Sequence, residues 1–429
     1  ARTLYNMGVG EANASEAADI CLINTCSVTE MADHKCRQQI HKMVRENPGA
    51  VVVVTGCYAQ LKSEEIAQIP GVSLVLGSNE KAHLVEYLLQ AMQTREADPI
   101  TFATSCEGHP AFHHAEKTKD IHSFQLSCSR GNRTRYFLKV QDGCNYFCTY
   151  CTIPYARGFS RNPSIATLVE QVKQAAAEGG KEVVITGVNI GDFGRTTGER
   201  FIDLVKALDE IEDIRRYRIS SLEPDLCSDE LIDYCAHSRA FMPHFHIPLQ
   251  SGSDTVLRLM HRRYDAALFA HKVELIKEKM PHAFIGVDVM VGCRGETPDC
   301  FEECRSFIEG LDVTQLHVFP YSERPGTAAL SIPYVVDDKE KKRRVHVLLE
   351  LSDQKTRAFY ARHAGTEQEV LLEKSASGKA MHGFTRNYVR VQLPEHLSKP
   401  EYDNELLTVR IGDFNADQTA MMVEDIIQR

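Results

Sequence analysis

Gly143-Cys144-Asn145-Tyr146-Phe147-Cys148-Thr149-Tyr150-Cys151 is the stretch on which the reading turns. Its cysteines follow the pattern Cys-x3-Cys-x2-Cys, with no fourth cysteine nearby. Structural zinc closes a tetrahedron with four ligands, usually on paired Cys-x2-Cys hooks. Three thiolates in one tight loop instead suit an iron–sulfur cluster with one iron left open. An open iron can bind a substrate or a cofactor.

Working outward, the loop follows directly on a candidate strand at 136–141, the first of a β-then-α series running from about 134 to 330. The further candidate strands are 182–186, 216–220, 244–249, 285–291 and 315–319. After the first strand and its loop, Ser164 caps a helix with Ile165, Leu168, Val169 and Val172 on one face, and Gly179 and Gly180 stop it. Phe201, Leu204, Val205 and Leu208 repeat the helical spacing. Six βα units are too few for a closed eight-stranded barrel, so an open, partial (βα)6 barrel is expected. Residues 337–362 read as a charged helix that includes Lys339 to Arg344. The tail, from about 364, reads as a small all-β barrel with strands near 369–373, 388–393 and 406–411.

Residues 1–100 read as a parallel α/β domain. Three aliphatic runs, 19–24, 51–55 and 72–76, are continuous, as strands buried on both faces should be. Cys26 and Cys57 fall just past the carboxyl ends of the first two, the edge at which open α/β sheets bind ligands. Residues 101–133 lose this rhythm and read as a linker. The scattered His109, His113, His114 and His122 match no standard metal-site spacing. The chain of 429 residues is thus divided into 1–100, 101–133, 134–362 and 363–429, in line with a rule of about 150 residues per domain. Lys and Arg total 49 against 59 Asp and Glu, a net charge of −10, which excludes a uniformly basic nucleic-acid coat but not local basic patches. The 14 cysteines, in a long chain with no visible export signal, read as thiols, metal ligands or catalytic groups before disulfides. The longest clean aliphatic run, Val51 to Val54, falls far short of the roughly 20 residues of a membrane helix, so a cytoplasmic protein with no membrane partner is expected.

The three-cysteine loop after the first strand of a partial βα barrel resembles the radical S-adenosylmethionine superfamily. The wider resemblance, over nearly the whole chain, is to its methylthiotransferases. Asn24-Thr25-Cys26-Ser27-Val28-Thr29-Glu30 and Thr55-Gly56-Cys57-Tyr58-Ala59-Gln60 resemble that family's second and third amino-terminal cysteine segments. The tail resembles a TRAM domain, an RNA-binding barrel, around Gly383-Phe384-Thr385 and Asn387-Tyr388. Thr186 to Gly191, Ser221-Leu222-Glu223-Pro224, Pro248 to Ser253 and Met260 to Tyr264 resemble the branch acting on N6-threonylcarbamoyladenosine in tRNA. The Val291 to Glu296 segment departs from the family, with Cys293 and Arg294 where Phe and Pro are usual.

The resemblance implies two 4Fe–4S clusters. Cys144, Cys148 and Cys151 would hold the one that binds and cleaves S-adenosylmethionine, while Cys26 and Cys57 would serve an auxiliary cluster that handles the transferred sulfur. The third amino-terminal ligand should lie upstream of Ala1, so residues 1–100 read as truncated at their start. Cys21 and Cys36 read as small buried hydrophobes, and Cys106, Cys128, Cys227, Cys235, Cys293, Cys300 and Cys304 have no ligand-like spacing. Asn189, Glu223, Gln250 and Arg263 follow or flank barrel strands, where the cofactor's polar groups would be met. Arg157, Arg161, Arg343 and Arg344 are candidates for substrate or phosphate, and Arg386, Arg390 and Tyr388 for RNA backbone contact and base stacking. The implied product is the 2-methylthio derivative at position 37, beside the anticodon. The target carbon carries an unactivated C–H bond, for which a radical is the suitable tool. Implied partners are the tRNA anticodon stem-loop, S-adenosylmethionine and an electron donor such as a flavodoxin or ferredoxin. Two rivals stand beside this reading: a methylthiotransferase acting on N6-isopentenyladenosine, and a non-catalytic RNA-binding module holding zinc.

Overall fold

Four consecutive valines, Val51 to Val54, are fully buried in the second strand of a parallel sheet, as their lack of polar alternation requires. The computed structural model describes residues 4, 8–13, 16–97, 112–115, 118–131, 133–375 and 380–428. Cys106 and His109 lie outside the described residues. The chain forms two compact units, and each is interrupted in sequence.

The first unit takes residues 1–125 together with Gly143–Phe159 and Ser322–Leu330. Its sheet has the order β1 (Ile20–Thr25), β2 (Val51–Gly56), β3 (Leu74–Leu76), β4 (Phe112–His114), parallel throughout. The fourth strand comes from the stretch that reads as linker. A helix at Glu30–Glu46, capped by the Thr29 side chain on Ala32 N–H, crosses between β1 and β2. Ile40 of that helix packs with Val52, Val54, Tyr58 and Cys21 in one core.

The second unit holds the βα series and the tail. Six parallel strands, β6 (Tyr136–Lys139), β7 (Glu182–Thr186), β8 (Arg216–Ile219), β9 (His244–Gln250), β10 (Phe284–Val291) and β11 (Gln315–Pro320), form the open arc expected. Isolated parallel bridges, Tyr217 to Phe241 and Ser221 to His246, join β8 to the β9 side. A short β5 (Cys128–Ser129) adds an antiparallel edge on β6. Alternation divides the two faces of the arc. Val183, Ile185, Tyr217, Ile219, Phe245, Ile247, Ile285, Val287 and Leu316 face the helices in one large core. Glu182, Arg216, Arg218, His244, His246, Gly286, Asp288 and His317 are therefore the inner-face residues.

The tail closes as a five-stranded barrel in the order β12 (Glu367–Glu373), β13 (His382–Thr385), β14 (Arg390–Gln392), β16 (Met421–Gln428), β15 (Leu406–Phe414). Two of these strands escaped the sequence reading. β13 carries Gly383, which reads as a break. The structure needs a glycine there, because a Cβ would fall 2.5 Å from the Leu371 carbonyl oxygen on β12.

The tail barrel is joined to the arc by buried charge. Glu182, 1% exposed, accepts from Arg218 at 2.8 Å and lies 3.7 Å from both Arg216 and Arg135. Arg216 donates onward to Glu369 and to the Phe384 carbonyl, and Arg218 to the Thr385 and Arg386 carbonyls. Three guanidiniums around one carboxylate leave spare donors, and backbone carbonyls of the tail absorb them. Tyr388 is enclosed in the same contact. Its ring packs against Phe384, His244 and Phe284, with Arg218 over its face, and its hydroxyl accepts from Arg135. The expectation that this ring stacks on RNA bases is therefore corrected: the protein itself occupies it.

Candidate active site

The three-cysteine loop begins where β6 ends. Asp142 and Arg161 exchange backbone hydrogen bonds across its neck, at 3.0 and 2.9 Å, and form a buried ion pair. One step inside, Cys144 N–H donates to the Gly158 carbonyl at 3.0 Å. Gly143 sits there with φ 74°, and a Cβ would fall 2.1 Å from the Phe159 carbonyl oxygen, so only glycine fits. Backbone N–H groups already point at two of the sulfurs: Tyr146 N–H at Cys144 Sγ and Ile153 N–H at Cys151 Sγ, both 3.4 Å. Hydrogen bonds of this kind to the sulfurs are one way a protein tunes an iron–sulfur cluster. Among the described residues, no three Cys, His, Asp or Glu side chains converge on a point suited to one bare metal ion.

Cys26 and Cys57 lie in the same compact unit as this loop. Thr25 and Gly56 are the last register pair of β1 and β2, so the two cysteines leave adjacent strands side by side. Cys26 is exposed and Cys57 buried. Arg157, expected toward substrate or phosphate, donates from Nε to Cys57 Sγ at 3.3 Å. Ser27, next to Cys26, is held by Arg324, which also pairs with buried Asp33 at 2.6 Å. Cys21 is buried in the β1 core, as expected. Cys36 is only partly buried, and its thiol meets the Cys26 carbonyl oxygen at 3.5 Å.

The second unit carries the four candidate cofactor residues at or beyond strand carboxyl ends. Asn189 is buried, and neither polar atom of its side chain has a hydrogen-bond partner. A buried amide without partners is what a bound polar ligand would satisfy. Its backbone N–H and that of Val188 both donate to Gln141 Oε1, which shapes the turn after β7. Gln250 ends β9 at φ 63°, and the β9–β10 register shifts beside it at Asp288/Val289, a local irregularity that re-aims side chains. Glu223 is pushed up to about 7, chiefly by burial, with Asp225 and Asp288 adding to it and Arg262 opposing. The partner of Glu223 is Arg262, which also bonds the Tyr264 hydroxyl. Arg263, the residue singled out from sequence, is exposed. Sequence cannot choose between adjacent arginines, because which one turns inward depends on the chain's path after the helix at Asp254–Leu259.

Arg344 is also corrected. It is 1% exposed and bonded to Glu296 and Glu340, so it is closed to phosphate, while Arg343 remains outside on Glu340. Burial raises Cys227 and Cys304 to about 12, which keeps them as inert thiols.

Residues 138–308 match the Radical SAM superfamily, and residues 1–77 match Uncharacterized protein family UPF0004. The chain is 37% identical to the threonylcarbamoyladenosine tRNA methylthiotransferase MtaB of Bacillus subtilis, over 96% of this chain and 90% of that protein. The chain belongs to the radical S-adenosylmethionine methylthiotransferases. Identity to the Aquifex aeolicus protein of the same name is also 37%, over 83% of this chain and 84% of the relative. A tRNA-2-methylthio-N(6)-dimethylallyladenosine synthase of Pelotomaculum thermopropionicum is 31% identical, over 86% and 82%. Among solved structures, the radical S-adenosylmethionine methyltransferase TsrM of Kitasatospora setae aligns with a TM-score of 0.53 at 15% identity, covering 96% of this chain and 77% of that one. That likeness bears on the fold of this methylthiotransferase alone. Membership implies S-adenosylmethionine and a 4Fe–4S cluster as cofactors. Among the described residues, no helix is long and apolar enough to cross a membrane.

Proposed function

We propose that this methylthiotransferase modifies carbon 2 of N6-threonylcarbamoyladenosine at position 37 of tRNA. The observation that carries the reading is the 37% identity, over nearly the full length of both chains, to a relative named for that substrate. Cys144, Cys148 and Cys151 hold the cofactor-binding cluster, and the N–H groups of Tyr146 and Ile153 steady its thiolates. A cluster held there with one iron open would supply one-electron chemistry to S-adenosylmethionine, the kind suited to an unactivated carbon. Asn189, Glu223 and Gln250 meet the cofactor's polar groups, with Arg262 keeping Glu223 in place and Arg263 toward solvent. Cys26 and Cys57 contribute to an auxiliary 4Fe–4S cluster that carries the transferred sulfur, and Arg157 supports the Cys57 sulfur with a hydrogen bond. The partners are the tRNA anticodon stem-loop and a low-potential electron donor of the flavodoxin or ferredoxin kind, in the cytoplasm where tRNA is modified.

The test is anaerobic purification with iron and sulfide analysis, followed by turnover on unmodified, isopentenylated and threonylcarbamoylated tRNA side by side. About eight irons per chain are expected from two four-iron clusters, falling to about four when Cys144, Cys148 and Cys151 are all changed to Ala. Zinc in place of iron would overturn the radical reading. Equal turnover on isopentenylated tRNA would overturn the substrate.

A further inference from the structure

The inner face of the strand arc carries two imidazoles and a carboxylate that the roles above leave unused. In the register of the sheet, Gly286 of β10 lies opposite His246 of β9, and Asp288 of β10 opposite His317 of β11. Alternation puts all four on the face away from the helices, because Ile247, Val287 and Leu316 occupy the core. His246 Nε2 lies 2.8 Å from Asp288 Oδ1, and the two side chains are 25% and 20% exposed, so solvent reaches them. His317 stacks on His246 with ring centroids 5.0 Å apart and planes at 10°. The sheet beneath carries no side chain at Gly286, where a Cβ would meet Phe284 at 3.3 Å, His317 Nε2 at 3.8 Å and the Phe245 carbonyl oxygen at 3.9 Å.

His317 makes no hydrogen bond to any described residue. It is partly buried, oriented by its stack on an imidazole that Asp288 has already fixed, and left with two ring nitrogens to offer. Partly desolvated polar groups without partners are unfavourable unless a ligand supplies them. The site is also close to the cofactor residues: Asp288 is near enough for its charge to act on Glu223.

On the substrate reading above, we propose that His246, Asp288 and His317 form the subsite for the polar arm of the modified base, with His317 donating to the arm's carboxylate. The chemistry favours this occupant over the rival one. A threonylcarbamoyl arm brings ureido N–H groups, a hydroxyl and a carboxylate, which match a paired His–Asp and a free imidazole. An isopentenyl arm brings only branched hydrocarbon, and would strip water from these three groups while returning no hydrogen bond. Burial, with the neighbouring His246 adding to it and Asp288 opposing, holds His317 below the usual imidazole range, and its neutral ring still carries one N–H to donate.

The experiment measures binding of one anticodon stem-loop in four forms to the reconstituted holoenzyme: adenosine, isopentenyladenosine, threonylcarbamoyladenosine and the methyl ester of the last at position 37. His317→Leu is expected to weaken binding of the threonylcarbamoyl form by about 10- to 150-fold, the loss of one hydrogen bond to a charged group. The same variant is expected to bind the adenosine and ester forms as the parent does. His317→Gln, which restores an N–H donor, should recover part of the loss, and a melting curve for each variant confirms that the fold is kept. Equal losses on all four forms, or an unchanged threonylcarbamoyl affinity in His317→Leu, would overturn the assignment. A parent enzyme that prefers the isopentenyl form would instead overturn the substrate reading itself. A parent that prefers the threonylcarbamoyl form, with that preference intact in His317→Leu, sinks only the subsite.

Discussion

Gly143→Ala should empty the cofactor-binding cluster without unfolding the protein. The methyl group would be placed 2.1 Å from the Phe159 carbonyl oxygen, 2.5 Å from its carbon and 2.7 Å from the Gly158 oxygen. Ordinary carbon–oxygen contacts lie near 3.3–3.6 Å, so the Phe159 carbonyl must retreat by more than about 1 Å, and backbone cannot rotate aside as a side-chain tip can. The retreat breaks the Cys144 N–H to Gly158 hydrogen bond and strains the Asp142–Arg161 rungs beside it. One backbone hydrogen bond is worth about 0.5–1.5 kcal/mol, and φ 74° costs alanine roughly 1–2 kcal/mol more than glycine. With the overlap added, the closed neck should lose about 2–5 kcal/mol, or about 30- to several-thousand-fold in population at 1.4 kcal/mol per factor of ten. Gly131→Ala is the control: its φ is 56° but its Cβ would meet nothing within 4 Å, so it carries the conformational cost without the overlap. Iron and sulfide should fall toward the level of the triple cysteine variant in Gly143→Ala and stay at the parent level in Gly131→Ala, with both proteins melting near the parent. A Gly143→Ala protein with full iron and normal turnover would refute the reasoning.

Glu182→Gln should be among the most damaging changes on the inner face, because it leaves Arg135, Arg216 and Arg218 without the carboxylate between them. Breaking a buried pair in this way costs about 3–5 kcal/mol, and calorimetry showing an unchanged melting temperature would contradict it. Deleting residues 363–429 should destabilise the barrel arc as well as weaken tRNA binding, since Arg216 and Arg218 lose the Glu369 carboxylate and four backbone carbonyls; a truncated protein that melts like the parent would show that this junction adds nothing. Glu223 supplies a pH signature. Its folded value, about 7, lies above that of an unfolded glutamate. Its share of the stability is therefore fully present below the unfolded value and is lost as pH rises to about 7. Chemical denaturation of the parent and Glu223→Gln should then diverge between pH 5 and 8 and run parallel above it; curves parallel throughout would exclude the raised carboxyl.

What could be read from the sequence was local. Aliphatic runs place β1, β2 and all six strands of the arc within a residue or two, since burial on one or both faces leaves its mark on each run. The cysteine spacing places the loop. What could not be read depends on partners distant in the chain. Tyr388 looks like an RNA-stacking ring until Arg135, Arg218 and His244 close over it from elsewhere in the chain. Arg344 looks like part of a solvated basic run until Glu296 takes it inside. The polar inner wall, by contrast, is written locally. Arg216-Tyr217-Arg218-Ile219 and His244-Phe245-His246-Ile247 alternate polar with apolar residues, where a strand buried under helices on both faces would not. That alternation is how a sequence writes a polar inner wall.

The division of labour between the two units follows from where the chain leaves the arc. Gly143–Phe159 departs after β6, the first parallel strand, and Ser322–Leu330 after β11, the last, and both segments fold into the unit that holds β1 and β2. There they hold the amino-terminal cysteines: Arg157 donates to Cys57 Sγ, Arg324 fixes Ser27 beside Cys26, Ser322 Oγ accepts from Glu30 N–H, and Thr152 Oγ1 donates to the Ser27 carbonyl. Cys26, Cys57, Cys144, Cys148 and Cys151 thus belong to one compact body, while Asn189, Glu223, Gln250 and the His246–Asp288–His317 group belong to the other. Hydrogen bonds within one unit thus tie the segments that carry Cys26 and Cys57 to the loop that carries Cys144, Cys148 and Cys151.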